Sequence, residues 1–122
     1  MKGTIAAVAV LALCGCAGVT GSPVPVRSAG GVLVDAGGMS VYTFDRDRAG
    51  KSVCIGPCAA GWPPITAAPD AKAVGGYTVI VRDDGSRQWA YKGKPLYLRA
   101  KDANPGEGAG DGAENLWRLA RP

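Results

Sequence analysis

Cys54-Ile-Gly-Pro-Cys58 is the segment whose residue types come closest to chemistry. Two thiolates at this spacing can hold a soft ion such as Cu(I). A copper site of that kind recruits a His as well, and the chain has none. Met39 is the only other soft ligand outside the N-terminal leader. Zinc would need four good ligands, which are absent. In an oxidising compartment the same pair becomes a disulfide, closing a small loop and contributing roughly 2 kcal/mol. Gly56 and Pro57 between the cysteines predict a tight turn rather than a helix.

Catalysis lacks parts. Without His there is no Ser-His or Cys-His nucleophile pair. Asp83-Asp84 falls in a predicted hairpin turn, exposed, where neither carboxyl acquires the raised pKa of a general acid. The acidic run from Asp102 to Glu114 suggests calcium but fails the EF-hand pattern. Its sixth position is Glu107 rather than Gly and its twelfth is Ala113 rather than Glu, which leaves a solvated loop. The expectation is a protein that is not an enzyme and holds no metal or cofactor.

Tyr, Asp and Trp recur with a fixed period. Shifting the chain by 55 positions places Tyr42 on Tyr97, Asp47 on Asp102 and Trp62 on Trp117. Gly30, Gly38, Val24, Val26 and Arg27 fall on Gly85, Gly93, Val79, Val81 and Arg82. The repeats span about 22–67 and 77–122, and such periodicity sets architecture before any local assignment. Two readings of the repeated residues stand. In the first, each Tyr packs into the core with its hydroxyl satisfied, while each Asp accepts backbone N–H bonds that fix the following loop. In the second, Tyr42, Tyr97, Trp62 and Trp117 line a ligand groove.

The elements that must position these residues are strands. Tyr77–Arg82 is rich in β-branched residues and ends at Asp83-Asp84-Gly85, a turn signal. Residues 86–91 alternate, and Lys92-Gly93 turns the chain into 95–99, where Pro95 must start its strand or face an edge. The period places a matching meander at Pro23–Arg27, Gly31–Asp35 and Ser40–Phe44, its first strand weakened to an edge by Pro23 and Pro25. Tyr42 and Phe44 share a face, and Asp47 lies just past the strand end. Each meander leads into a long Gly-rich loop that closes at a Trp, and no segment shows sustained helical periodicity. The predicted fold is all-β: two pseudo-repeated antiparallel three-stranded meanders packed into one small domain. Each unit is too thin to bury a core alone, so their apolar faces must meet.

The first residues are a processing segment. Lys2 precedes a nine-residue apolar stretch, Ile5 to Leu13, too short to span a bilayer. Leu13-Cys14-Gly15-Cys16 fits a lipoprotein signal, with Leu three positions before Cys16 and a small residue just before it. Residues 1–15 are therefore read as signal peptide and Cys16 as the lipidated first residue of the mature chain; a secretory signal cut near Ala17 is the alternative. Residues 16–30 read as anchor and tether, within which 22–27 can pair as a weak edge strand. Residues 31–122 are read as a single β domain. The chain carries 14 basic and 10 acidic residues, scattered without a basic run, which argues against nucleic acid.

Gly38-Met-Ser-Val-Tyr42-Thr-Phe44-Asp45-x-Asp47, followed by Cys54-x-Gly56-x-Cys58-Ala59-x-x-Trp62-Pro63-Pro64, closely resembles the bacterial secreted-repeat lipoproteins, marked by a Tyr-x-aromatic-x-x-Asp motif. Asp84-Gly85-x-x-Gln88-Trp89-x-Tyr91-x-Gly93-Lys94-Pro95-Leu96-Tyr97 resembles their second repeat. The likeness covers roughly 31–119 and makes Tyr42, Phe44, Asp47, Trp62, Tyr97, Asp102 and Trp117 the family positions. Two departures stand out. Arg99 replaces the second motif's aromatic residue, and the basic residue after the final Trp, sometimes His in the family, is Arg118. The resemblance implies an exported, usually lipid-anchored β domain of unknown biochemical activity. The expected function is a monomeric, non-catalytic binding or structural module of the cell envelope. Its membrane contact is the N-terminal lipid, on the periplasmic side of the outer membrane in a Gram-negative host. The alternative is a redox or copper-handling periplasmic protein using Cys54 and Cys58.

Overall fold

A computed structural model describes residues 24–122. The signal peptide expected at 1–15, the lipidation expected at Cys16 and the first part of the tether lie outside the described residues. Seven short strands follow in chain order: β1 (Val26–Ala29), β2 (Val32–Asp35), β3 (Tyr42–Phe44), β4 (Tyr77–Val81), β5 (Arg87–Tyr91), β6 (Lys94–Pro95) and β7 (Trp117–Leu119). A five-residue helix, α1 (Pro57–Gly61), lies between β3 and β4, and a 3-10 turn (Ala113–Asn115) precedes β7. The fold is all-β, as the alternating patterns predict.

The hairpins close where the sequence allows positive φ. Gly30-Gly31 (φ 62° and 85°) joins β1 to β2, and Lys92-Gly93 (φ 49° and 84°) joins β5 to β6. Both loops have two central residues in the left-handed region, the conformation that matches strand twist. β1 begins immediately after Pro25 and pairs only with β2, from Val26 opposite Asp35 to Ala29 opposite Val32. The edge strand expected at Pro23–Arg27 is thus displaced past Pro25 and runs on to Ala29. Val24 and Val26 are nonetheless buried with Leu33, Val41, Ile65, Trp89, Leu96 and Ala120 in an aliphatic core around one Trp. The folded unit therefore includes residues ahead of the boundary expected at residue 31.

The third strand of each meander is divided between the two repeats. In the first repeat, Val41 N–H donates to Leu33 O of its own hairpin at 3.2 Å. The next three residues, β3, pair instead with β7 from the second repeat. In the second, Leu96 N–H donates to Trp89 O at 3.0 Å, after which Leu98 and Ala100 donate to Pro63 O and Gly61 O of the first repeat at 2.8 and 2.9 Å. Between these ladders, Tyr42 and Tyr97 exchange both backbone hydrogen bonds, at 2.8 and 2.9 Å. A pseudo-twofold axis thus runs through the Tyr42–Tyr97 pair. The strand expected at 95–99 is correspondingly interrupted, with only Lys94–Pro95 held in the three-stranded sheet β4-β5-β6.

Candidate functional site

The repeated residues meet on this axis, and their partners are crossed. Tyr42 donates to Asp102 Oδ2 and Tyr97 to Asp47 Oδ2, both at 2.6 Å, so each hydroxyl serves the carboxylate of the other repeat. Trp62 lies flat on Trp117, with ring centroids 3.8 Å apart and planes 4° from parallel. Tyr42 meets Trp62 edge-on at 5.3 Å, and Tyr97 meets Trp117 edge-on at 5.2 Å. Phe44 stacks on the outer face of Trp117 at 4.3 Å. In the matching place on Trp62 sits the guanidinium of Arg99, 5.8 Å from the ring. The departure at Arg99 keeps the geometry by replacing an aromatic stack with a cation over a π face.

Of the two carboxylates, Asp47 does the loop work expected of it, whereas the partners of Asp102 are the side chains of Tyr42 and Arg99. Asp47 Oδ1 accepts Val53 N–H at 2.7 Å. Asp102 is paired with Arg99 at 3.0 Å, and Gly110 N–H donates to the Tyr42 hydroxyl at 3.1 Å. Behind Tyr97 lies a network that the sequence did not announce. The Tyr97 proton is committed to Asp47, so the Ser52 hydroxyl donates to Tyr97 at 2.6 Å, and Arg82 Nη1 donates to Ser52 at 2.9 Å. Arg82, only 5% exposed, also donates to Gln88 Oε1 at 2.8 Å and to Cys54 O at 2.7 Å. Gln88 in turn donates to Leu96 O at 2.7 Å. The available signal was period two: Arg82 lies two residues after buried Ile80, on the inward face of its strand.

Burial pushes the Asp47 carboxyl above its ordinary value, against the Tyr97 and Val53 hydrogen bonds and the Arg82 charge. Burial, reinforced by the bonded carboxylates, pushes both Tyr42 and Tyr97 from 10 up to about 12. The phenols stay protonated in both folded and unfolded chains below pH 10, where their stabilisation is fully present. Between pH 10 and 12 the unfolded chain ionises first, so stability falls as pH rises. The expected slope is at most ~1.4 kcal/mol per pH unit for each tyrosine. Tyr97→Phe, less stable at neutral pH, is expected to lose less across that window than the parent, as read by urea unfolding at stepped pH.

Cys54 and Cys58 form a disulfide, Cα atoms 5.2 Å apart. Cys54 is fully buried and its partner half-buried. The tight turn expected between them is made by Gly56 at φ 59°, but α1 then begins at once. Pro57 occupies the first helical turn, where the missing N–H costs nothing and its fixed φ fits. Among the described residues, no group of three or more His, Cys, Asp or Glu could hold a metal ion.

Glu107 and Asp111 in the loop after Asp102 are exposed but tied to backbone N–H groups. Glu107 accepts the N–H groups of Ala103 and Asn104, each at 2.9 Å, and these bonds hold its carboxyl below the ordinary range. Asp111 accepts Leu119 N–H at 3.0 Å. Gly110 is buried against the stack, and a Cβ there would lie 2.5 Å from Arg99 Cδ and 2.8 Å from Trp62 Cη2. Glycine is required because the backbone approaches the indole directly. Asp83 and Asp84 stay exposed in their turn, Asp83 bonded to Lys51 and Asp84 to Ser86.

Tyr42 and Tyr97 are 0% exposed and line no surface groove. The groove that does open beside the stack is about 630 Å³ and lies between α1, β3 and the 3-10 turn. Phe44, Trp62, Trp117, Leu116, Val53 and Cys58 form its walls, and Arg46 and Glu114 add opposite charges. The indoles present edges rather than faces, since both faces of each are covered. Glu114 and Asn115 both adopt left-handed backbone (φ 52° and 59°) beside this groove, a conformation that Asn tolerates and that is costly for Glu.

The fold and its shared centre define a class: a two-repeat β domain in which each copy completes the other through crossed Tyr–Asp bonds and a Trp–Trp stack. The chain belongs to the family described as a secreted repeat of unknown function, whose model matches residues 24–66 and 78–121, one stretch per repeat. Curated proteins and solved structures yield no match.

Proposed function

We propose that the protein is an exported envelope module, lipid-anchored at Cys16, that binds a ligand rather than transforming one. The repeated Tyr, Asp and Trp residues serve as scaffold, and the groove beside Phe44 is the binding surface. One observation carries this reading: the groove opens where the repeats differ, at Phe44, at the disulfide and at the 3-10 turn. On the other side of the stack, Arg99 and Gly110 cover Trp62. Apolar walls suit an apolar group, with Arg46 at the rim for an anionic end and Glu114 for a cationic one.

Anilinonaphthalene sulfonate, an apolar dye with one sulfonate, tests the groove. Gly61 lines it at a backbone conformation open to any residue, and a Cβ there meets nothing within 4 Å. Gly61→Leu is expected to leave the melting temperature unchanged while abolishing saturable dye binding and energy transfer from the tryptophans. Dye binding equal to the parent's would remove the groove from consideration. In the same preparation, a Cys16→Ser chain should move from the detergent phase to the aqueous phase.

A further inference from the structure

Basic residues scattered along the sequence are gathered by the fold onto one face. Two adjoining grooves, of about 260 and 290 Å³, run beside β3 and share Thr43, Asp45 and Lys94. Arg48 and Lys92 stand along the first and Arg118 and Arg121 along the second, with Lys94 where they join. The carboxylates here are already engaged. Asp45 accepts two bonds from Arg118, at 3.0 and 3.1 Å, and Asp47 is turned to Tyr97 and Val53. Among the described residues, the ion pairs are Lys51–Asp83, Arg99–Asp102 and Arg118–Asp45. Arg48, Lys92, Lys94 and Arg121 are exposed and enter none of them.

We propose that this face binds a linear anionic sugar polymer, a chain of carboxylate-bearing pyranoses. Four uncompensated cations along connected grooves create a local positive field that concentrates a polyanion. Concavity favours a chain over a bilayer: an extended polymer can lie along both grooves, whereas a flat headgroup surface touches only their rims. Tyr91 lines the second groove beside Lys94 and Arg121, its ring already flanked by Tyr77 and the Lys92 ammonium, and adds apolar surface to the wall. This surface is separate from the groove at the disulfide and stands or falls independently of it.

Polygalacturonate is the probe. The purified protein is expected to bind fluorescein-labelled oligogalacturonate at low salt and to release it progressively as salt screens the charges. Lys94→Glu with Arg121→Glu should weaken binding at least about tenfold, since rim charges act through the local field. Arg27→Glu with Lys72→Glu makes the same change in net charge at exposed positions off this face. Compared at about 0.1 M salt, where charges beyond a Debye length of about 10 Å are screened, it should stay within about twofold of the parent. Circular dichroism should show all three chains folded. Equal weakening by the two charge-matched pairs would reduce the effect to net charge and overturn the proposal. So would failure of the parent to bind the polymer. Binding only to vesicles of equimolar phosphatidylcholine and phosphatidylglycerol, lost with Lys94 and Arg121, would identify a bilayer as the partner and also overturn it.

Discussion

Trp117→Ala is expected to lower the unfolding free energy by about 3–5 kcal/mol, the range for removing a buried Trp. Trp117 is 1% exposed and touches Trp62, Phe44 and Tyr97 with its ring. Its loss leaves an indole-sized void at the junction of the repeats, where no single hairpin can collapse to fill it. Domains of this size have ~5–15 kcal/mol in total, so the variant should lie near its unfolding threshold at room temperature. Phe44→Ala removes the half-buried outer member of the same stack, and about half that loss is expected. Urea unfolding followed by circular dichroism gives both values. Equal losses would mean that the stack fills space locally and does not join the repeats.

Arg82→Met is expected to cost about 3–5 kcal/mol, as removal of one member of a buried charged network does. Arg27→Met should stay within about 0.5 kcal/mol, although Arg27 occupies the same place in the first repeat. Arg27 is exposed and donates only to Asp35 O at 3.0 Å. Arg82 satisfies Ser52, Gln88 and the Cys54 carbonyl at once, and its charge opposes the burial of Asp47. The deficit should also depend on pH. The folded pKa of Asp47 is already raised above the unfolded value of 3.8, so its carboxylate burdens the fold above that folded pKa and not below 3.8. Without Arg82 the burden grows at neutral pH, and lowering the pH through the raised pKa should recover part of the loss. A deficit independent of pH between 7 and about 4 would show that Arg82 acts through its hydrogen bonds alone.

The all-β fold and the central residues were legible because both depend on period: alternation along strands and recurrence of Tyr, Asp and Trp. The crossing was not. A repeat specifies that Tyr42 and Tyr97 each need an acceptor, but Asp47 and Asp102 satisfy that need equally well on paper. The choice is made in space, by the backbone pair that sets the tyrosines across the axis. Arg99 read as a break in symmetry because residue identity was compared, whereas a π face accepts a guanidinium or a ring. The hydrogen bonds of the acidic loop were not legible, because Glu107 and Asp111 find their N–H partners only once the chain has turned. Arg82 and Arg27 are identical in the repeat, and only burial separates them.

The crossed tyrosines bear on how the two copies could change through descent. A substitution at Asp47 is felt first at Tyr97, and one at Asp102 at Tyr42, so damage in either copy is registered in the other. Neither half can drift into a separate role at these positions while its twin holds the old one. The freedom to diverge is confined to what lies outside the crossing: the cysteine pair, the rim at Glu114 and the basic face. A duplicated chain of this construction keeps its centre as a joint inheritance and does its diversifying at the margins.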